Sequence, residues 1–137
     1  MKKVVLICLI LIASCCASCA SDAYDADRCS RLSYMIETQQ ELSQDDYADM
    51  IGQSRHILQF LIDKTSAVSQ LPSDRRAAAE AALRADKDFL EQFGYMFTFS
   101  SVLYRAHLAG KLSDENSAAY EALDQSSDRY ARLCENI

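Results

Sequence analysis

Residues 43–70 read SQDDYADMIGQSRHILQFLIDKTSAVSQ, and this stretch decides the fold. Tyr47, Met50, Ile51, Ile57, Leu58, Leu61, Ile62 and Val68 recur at helical steps, so they share one face of an α-helix of about seven turns. Ser54 and Thr65 are polar interruptions of that face. Leu42-Ser43-Gln44-Asp45-Asp46 supplies a turn, an N-cap and carboxylates in the first turn, where they meet the positive end of the helix dipole. The far end is set by Pro72-Ser73-Asp74. The residue before a proline is pushed out of the helical region, and Ser73 can accept the unpaired amide hydrogens of a new helix.

On the N-terminal side, Cys29, Leu32, Met35, Ile36 and Leu42 mark one face of a helix running from Ser21 to about Glu41. On the C-terminal side, a helix from Ser73 to about Ala109 stops at Gly110. Leu112-Ser113-Asp114-Glu115 then opens another, with Ala119, Tyr120, Leu123, Tyr130 and Leu133 on its inner face. The whole chain of 137 residues holds 3 Gly and 1 Pro. That is too little turn chemistry for many short strands, which excludes an all-β fold. With 50% hydrophobic and 25% charged residues, the composition is that of one globular domain. The expected architecture is all-α, an up-down-up-down four-helix bundle joined by short loops.

Reflecting the chain through turns near residues 42, 71 and 111 assigns every residue a level along the bundle axis. Cys29 falls level with about residue 135, one residue from Cys134, or about 1.5 Å along the axis. In an oxidising compartment this predicts a Cys29–Cys134 disulfide closing a loop of roughly 100 residues, with two buried free thiols as the alternative. The same reflection exposes a misfit. The third helix spans about 36 residues, or about 54 Å if straight, roughly twice the length of the first. The hairpin end from Phe97 to Leu123 then overhangs its neighbours and carries Phe99, Val102, Leu103, Tyr104, Leu108 and Tyr120 into water, and Phe97, Phe99, Val102, Leu103, Tyr104 and Leu108 form the expected partner-binding face. Either Gly94 breaks the helix and folds the overhang back, giving five helices, or another molecule covers it.

The N-terminus carries an address. Met1-Lys2-Lys3 is a short positive start, Val4 to Ile12 is a run of nine apolar residues, and Ala13 to Ala20 are all small. These are the n-region, h-region and cleavage region of a signal peptide. Ile12-Ala13-Ser14-Cys15 resembles the lipobox of bacterial lipoproteins. The resemblance implies cleavage before Cys15 and attachment of diacylglycerol to its thiol, and Cys16 in the following position implies sorting to an outer membrane where one exists. Residues 1–14 are then a signal peptide, 15–21 a lipidated tether and 22–137 the helical domain. Two alternatives stay open: cleavage after Ala20, releasing a soluble chain from Ser21, and retention of residues 4–20 as an anchor at the lower limit of a span. All three put the domain outside the cytoplasm, in the cell envelope, at the surface or secreted.

Without Lys2 and Lys3, 12 basic residues face 20 acidic ones, a net charge of −8. Nucleic acid and anionic headgroups are therefore poor partners. His56 lies seven residues from both Asp49 and Asp63, about 10.5 Å along a helix, too far for one imidazole to share an ion with both carboxylates. His107 sits some 30 Å from His56 along the reflected bundle, a separation that a bend at Gly94 would shorten. Cys16-Ala17-Ser18-Cys19 has the spacing of a redox pair without the strand-to-helix frame that activates one. The run Phe93, Tyr95, Met96, Phe97 and Phe99 has helical core spacing, with a ligand pocket as its functional alternative. No catalytic, metal-ligating or cofactor-binding set emerges. The sequence points to a non-catalytic, lipid-anchored helical module with a protein partner, a second copy being one candidate. The alternative is a secreted bundle that binds an apolar small ligand in its core.

Overall fold

The computed structural model describes residues 23–135, and these form five α-helices and no strand. They are α1 (Ala26–Glu37), α2 (Gln44–Ser69), α3 (Ser73–Arg84), α4 (Lys87–Leu108) and α5 (Asp114–Glu135). Residues 1–22, with the lipobox and Cys15, lie outside the described residues.

Each helix starts where the local chemistry supplies an acceptor. Asp25 accepts the Arg28 amide and Asp86 accepts the Phe89 amide. At α2 a reciprocal capping box forms: the Ser43 hydroxyl accepts the Asp46 amide at 3.1 Å and the Asp46 carboxylate accepts the Ser43 amide at 2.9 Å. Ser113 accepts the Asn116 amide at the start of α5. Only at α3 does the expected cap change. Ser73 is already helical there, and the Pro72 carbonyl takes the Arg75 and Arg76 amides instead. α1 ends at Glu37, earlier than its apolar spacing suggests, because Gln39 turns left-handed at φ 53°. Gly110 does the same after α4 at φ 68°, where the Lys111 amide closes back on the Ala106 carbonyl.

The 26-residue α2 is the spine, with α1, α4 and α5 packed along it. α4 runs antiparallel to α2. α5 runs parallel to it, since the α2 start (Gln44) bonds to Asn116 while the hydroxyl of Thr65 near its end meets that of Tyr130. α1 runs antiparallel on the side away from α5, and the two do not touch. The core is the inner stripe of α2 (Met50, Ile57, Leu61) packed with Leu32 and Cys29 of α1, Phe99 and Leu103 of α4, and Tyr120 and Leu123 of α5. Burying these side chains contributes roughly 1.5–3 kcal/mol each, which drives the assembly.

Two expectations are corrected. The long third helix does break, but at Ala85–Asp86 and not at Gly94. The first segment becomes α3, a short helix that buries no residue and packs on both α2 and α4. Gly94 lies mid-α4 on its exposed side, and a β-carbon added there would meet no atom within 4 Å, so it neither bends the chain nor admits a neighbouring helix of its own bundle. The second correction follows from the first. Because α3 leaves the axis, its residues contribute little to length along the bundle, and every level after it shifts. Cys29 sits against Gln53, while Cys134 shares a surface recess with Val68. Fifteen residues of α2 separate those levels, about 22 Å, against the 4.4–6.8 Å that a disulfide allows between α-carbons. Both cysteines are free thiols, Cys29 buried and Cys134 exposed.

Candidate interaction surface

α4 is apolar on two opposite faces. Gln92, Met96, Phe99, Leu103 and Ala106 point into the core. Half a turn away, Leu90, Phe93, Phe97, Tyr104 and Leu108 point into solvent. A helix so built is normally covered on both sides. Six large apolar side chains are exposed among the described residues, and five of them lie on this outer face, with Phe97 71%, Leu108 67% and Tyr104 54% exposed. No charged residue interrupts α4 between Glu91 and Arg105.

The six residues expected to bind a partner are thus divided by the helix. Phe97, Tyr104 and Leu108 are on the outer face, whereas Val102 lies on the far flank of α4, half-buried against the core beside Tyr47 and Ala106. Phe99 and Leu103 are fully buried and cannot reach a partner. Leu90 and Phe93 join the outer face although the overhang reading began only at Phe97. Phe93 lies four residues before Phe97 and Leu90 three before Phe93, the helical steps that place them in one row with it.

Beside this face α4 and α5 both rest on α2 but scarcely touch each other. Between them lies an open groove of about 200 Å³, floored by Leu58 and Leu61 and walled by Phe93, Met96, Phe97 and Tyr130. Its volume falls below the roughly 300–1,000 Å³ of sites that engulf a small ligand. Tyr130 closes one end. Burial pushes its hydroxyl up to about 12, with the hydrogen bond to Thr65 opposing the shift, so the phenol stays protonated at neutral pH.

The titratable groups of the interior are locked rather than poised. The Cys29 thiol is pushed up to about 11, first by burial and then by Asp25, which leaves no thiolate for nucleophilic work. Gln53, buried beside it, accepts the Asp25 amide at 2.8 Å and the Cys29 thiol at 3.6 Å, and donates to the Ala23 carbonyl at 3.1 Å. It fastens the chain entering α1 to the spine. At the opposite end, the buried Asn116 donates to the Gln44 carbonyl and side chain, while Gln44 also takes the Ser113 amide and donates to the Lys111 carbonyl. Sequence reading singled out neither amide, because Gln and Asn carry no periodic signal.

The histidines stay apart. His107 rests on Tyr120 and meets the Ser117 hydroxyl at 3.1 Å. It is therefore level with the start of α2, about 18 Å along the axis from His56, which shortens the 30 Å read from the sequence. Among the described residues no three His, Cys, Asp or Glu side chains converge as a metal site, and no helix is long and apolar enough to cross a membrane. Comparison with protein-family models, with curated proteins and with solved structures finds no match for this chain.

Proposed function

We propose that the protein is a non-catalytic, lipid-anchored interaction module of the cell envelope, held to the membrane through Cys15 and docking another protein on the outer face of α4. The observation that carries this reading is the uncharged apolar stripe of Leu90, Phe93, Phe97, Tyr104 and Leu108. Leaving such a stripe in water forfeits about 25 cal/mol for each Å² that a partner could cover, and single exposed apolar residues need no such account. The acidic balance of the chain favours a protein partner over nucleic acid. The lipobox resemblance supplies the anchor and the outer-membrane or surface location.

Two measurements test it. Intact-mass spectrometry of the membrane fraction is expected to find a diacylglyceryl-modified chain beginning at Cys15; a soluble, unmodified chain from Ser21 refutes the anchor. A photoreactive phenylalanine at Phe97 is expected to form protein adducts in intact cells, and the same probe at exposed Ala81 on α3 is not. Equal yields from both positions, or none from Phe97, refute the docking face. The α4–α5 groove supports a second reading, capture of a thin apolar ligand. Its small volume makes that the weaker one.

A further inference from the structure

The outer ridge of α4 reads Leu90, Gly94, Phe97, Ser101, Tyr104, Leu108, with steps of four, three, four, three and four residues. That is a coiled-coil seam sustained over about 27 Å. Large and small residues alternate from Leu90 to Tyr104, Leu108 adds a second large residue at the end, and the order is complementary to its own reverse. From the structure we infer that the occupant of this face is a second copy of the chain, with the two α4 helices packed antiparallel across a two-fold axis at the level of Phe99. The inference rests on the docking face proposed above and specifies its partner.

Size complementarity is the first argument. About that axis, Phe97 stands over the partner's Ser101, Tyr104 over the partner's Gly94, and Leu90 against the partner's Leu108, with each pair repeated by symmetry. Every bulky knob of the central layers meets a position with almost no side chain, and the outer layers are leucine on leucine. A parallel pairing would instead set Gly94 on itself and Phe97 on itself, leaving a gap at one layer and a crowded one at the next. Gly94 thereby gains a use that its own bundle does not give it, since the space above it is open.

Charge is the second argument, and it is independent. Glu91 and Arg105 are both exposed and flank the seam on the same side, each directly after a large seam residue. In the antiparallel pairing these flanking positions face each other, so Glu91 meets the partner's Arg105 twice, once at each end. Between them Thr98 faces itself across the axis without charge. A closed two-fold contact of this kind needs one self-complementary patch, which the ridge supplies. A single helix pair of this length falls at the small end of specific interfaces, about 1,200 Å² in total, so the association is concentration-dependent.

Charge reversal in the full-length chain tests the pairing, because the altered side chains are exposed and leave the core intact. Light scattering over a concentration series is expected to show a monomer–dimer equilibrium. Glu91→Arg and Arg105→Glu should each weaken it by about tenfold through two like-charge contacts per dimer, and the double variant should restore it. Far-ultraviolet circular dichroism should be unchanged in all three. In cells, the photoreactive residue at position 97 should label residues near the partner's Ser101. A wild-type chain that stays monomeric at every concentration, or a double variant no tighter than the single ones, overturns self-pairing. Adducts from position 97 that contain another protein and never this chain overturn it while leaving the docking face standing. The absence of any adduct overturns both.

Discussion

Replacing Phe99 with alanine and, separately, Phe97 with alanine removes the same ring from one helix at positions two residues apart. The bundle geometry predicts opposite outcomes. Phe99 is 0% exposed, packs in the central core and stacks on Tyr95 at 5.8 Å between ring centres. Truncating it costs the transfer free energy of the ring plus the cavity left behind, about 3–5 kcal/mol. For a domain of this size that lowers the melting temperature by about 12–20 °C. Phe97 leaves no cavity, and at the lowest workable protein concentration its truncation should fall within about 0.5 kcal/mol of wild type. Urea unfolding followed by circular dichroism reads both, with unchanged m-values as the check that the unfolding reaction is the same. A loss below about 1 kcal/mol for Phe99→Ala, or above about 1.5 kcal/mol for Phe97→Ala, would mean that the two faces of α4 are assigned wrongly.

Gly94→Ala should stabilise the monomer by about 0.5–1 kcal/mol, since the added methyl meets nothing and helix propensity improves. A net loss at low concentration in the same urea assay would return Gly94 to a structural role within the bundle. Iodoacetamide at pH 8 should modify exposed Cys134 in folded protein and spare buried Cys29 until the chain is unfolded; equal labelling in peptide maps refutes that packing. Asp46 is held below the usual carboxylate range, chiefly by the Ser43 amide, so its stabilisation is present above the unfolded value of about 3.9 and is lost as pH falls through the lower folded value. Asp46→Ala should therefore cost about 1 kcal/mol at pH 7, with the gap to wild type closing in acid; a gap independent of pH rules out the carboxylate as its source.

The helix content was legible because period and punctuation agree. The predicted inner face of α2 is buried at Tyr47, Met50, Ile51, Ile57, Leu58, Leu61 and Val68 and half-buried at Ile62, and the polar interruptions Ser54 and Thr65 are buried with it. Gln44–Ser69 begins and ends within a residue or so of the boundaries that Ser43 and Pro72 suggest. The break at Ala85–Asp86 was not legible by the same means. Ala85-Asp86-Lys87-Asp88 contains neither Gly nor Pro, and every residue in it is acceptable inside a helix. It becomes a boundary because the Asp86 carboxylate captures the Phe89 amide, which stabilises a new start without forbidding the old continuation. Gly94 drew attention as the weakest helix former of the segment, yet an exposed glycine with both neighbouring turns intact costs propensity and bends nothing.

The misplaced break accounts for the misread register. An axial level computed along the chain assumes that every helical residue advances the bundle by 1.5 Å, and α3 spends twelve residues off that line. The error moves Cys134 from beside Cys29 to the far end of α2, although both positions had been placed on the correct helices. The candidate site suffers a different ambiguity. Inner and outer faces of α4 both recur at steps of three and four, so periodicity alone cannot say which one α2 covers. The asymmetry lies in side-chain size: the inner row keeps bulk at Met96, Phe99 and Leu103, whereas the outer row drops to Gly94 and Ser101 between its large residues. A core facing a long apolar spine needs continuous volume to exclude water. A row that alternates large with small can close tightly only against a surface of the inverse order, and on this chain the matching order is that of the row itself read backwards.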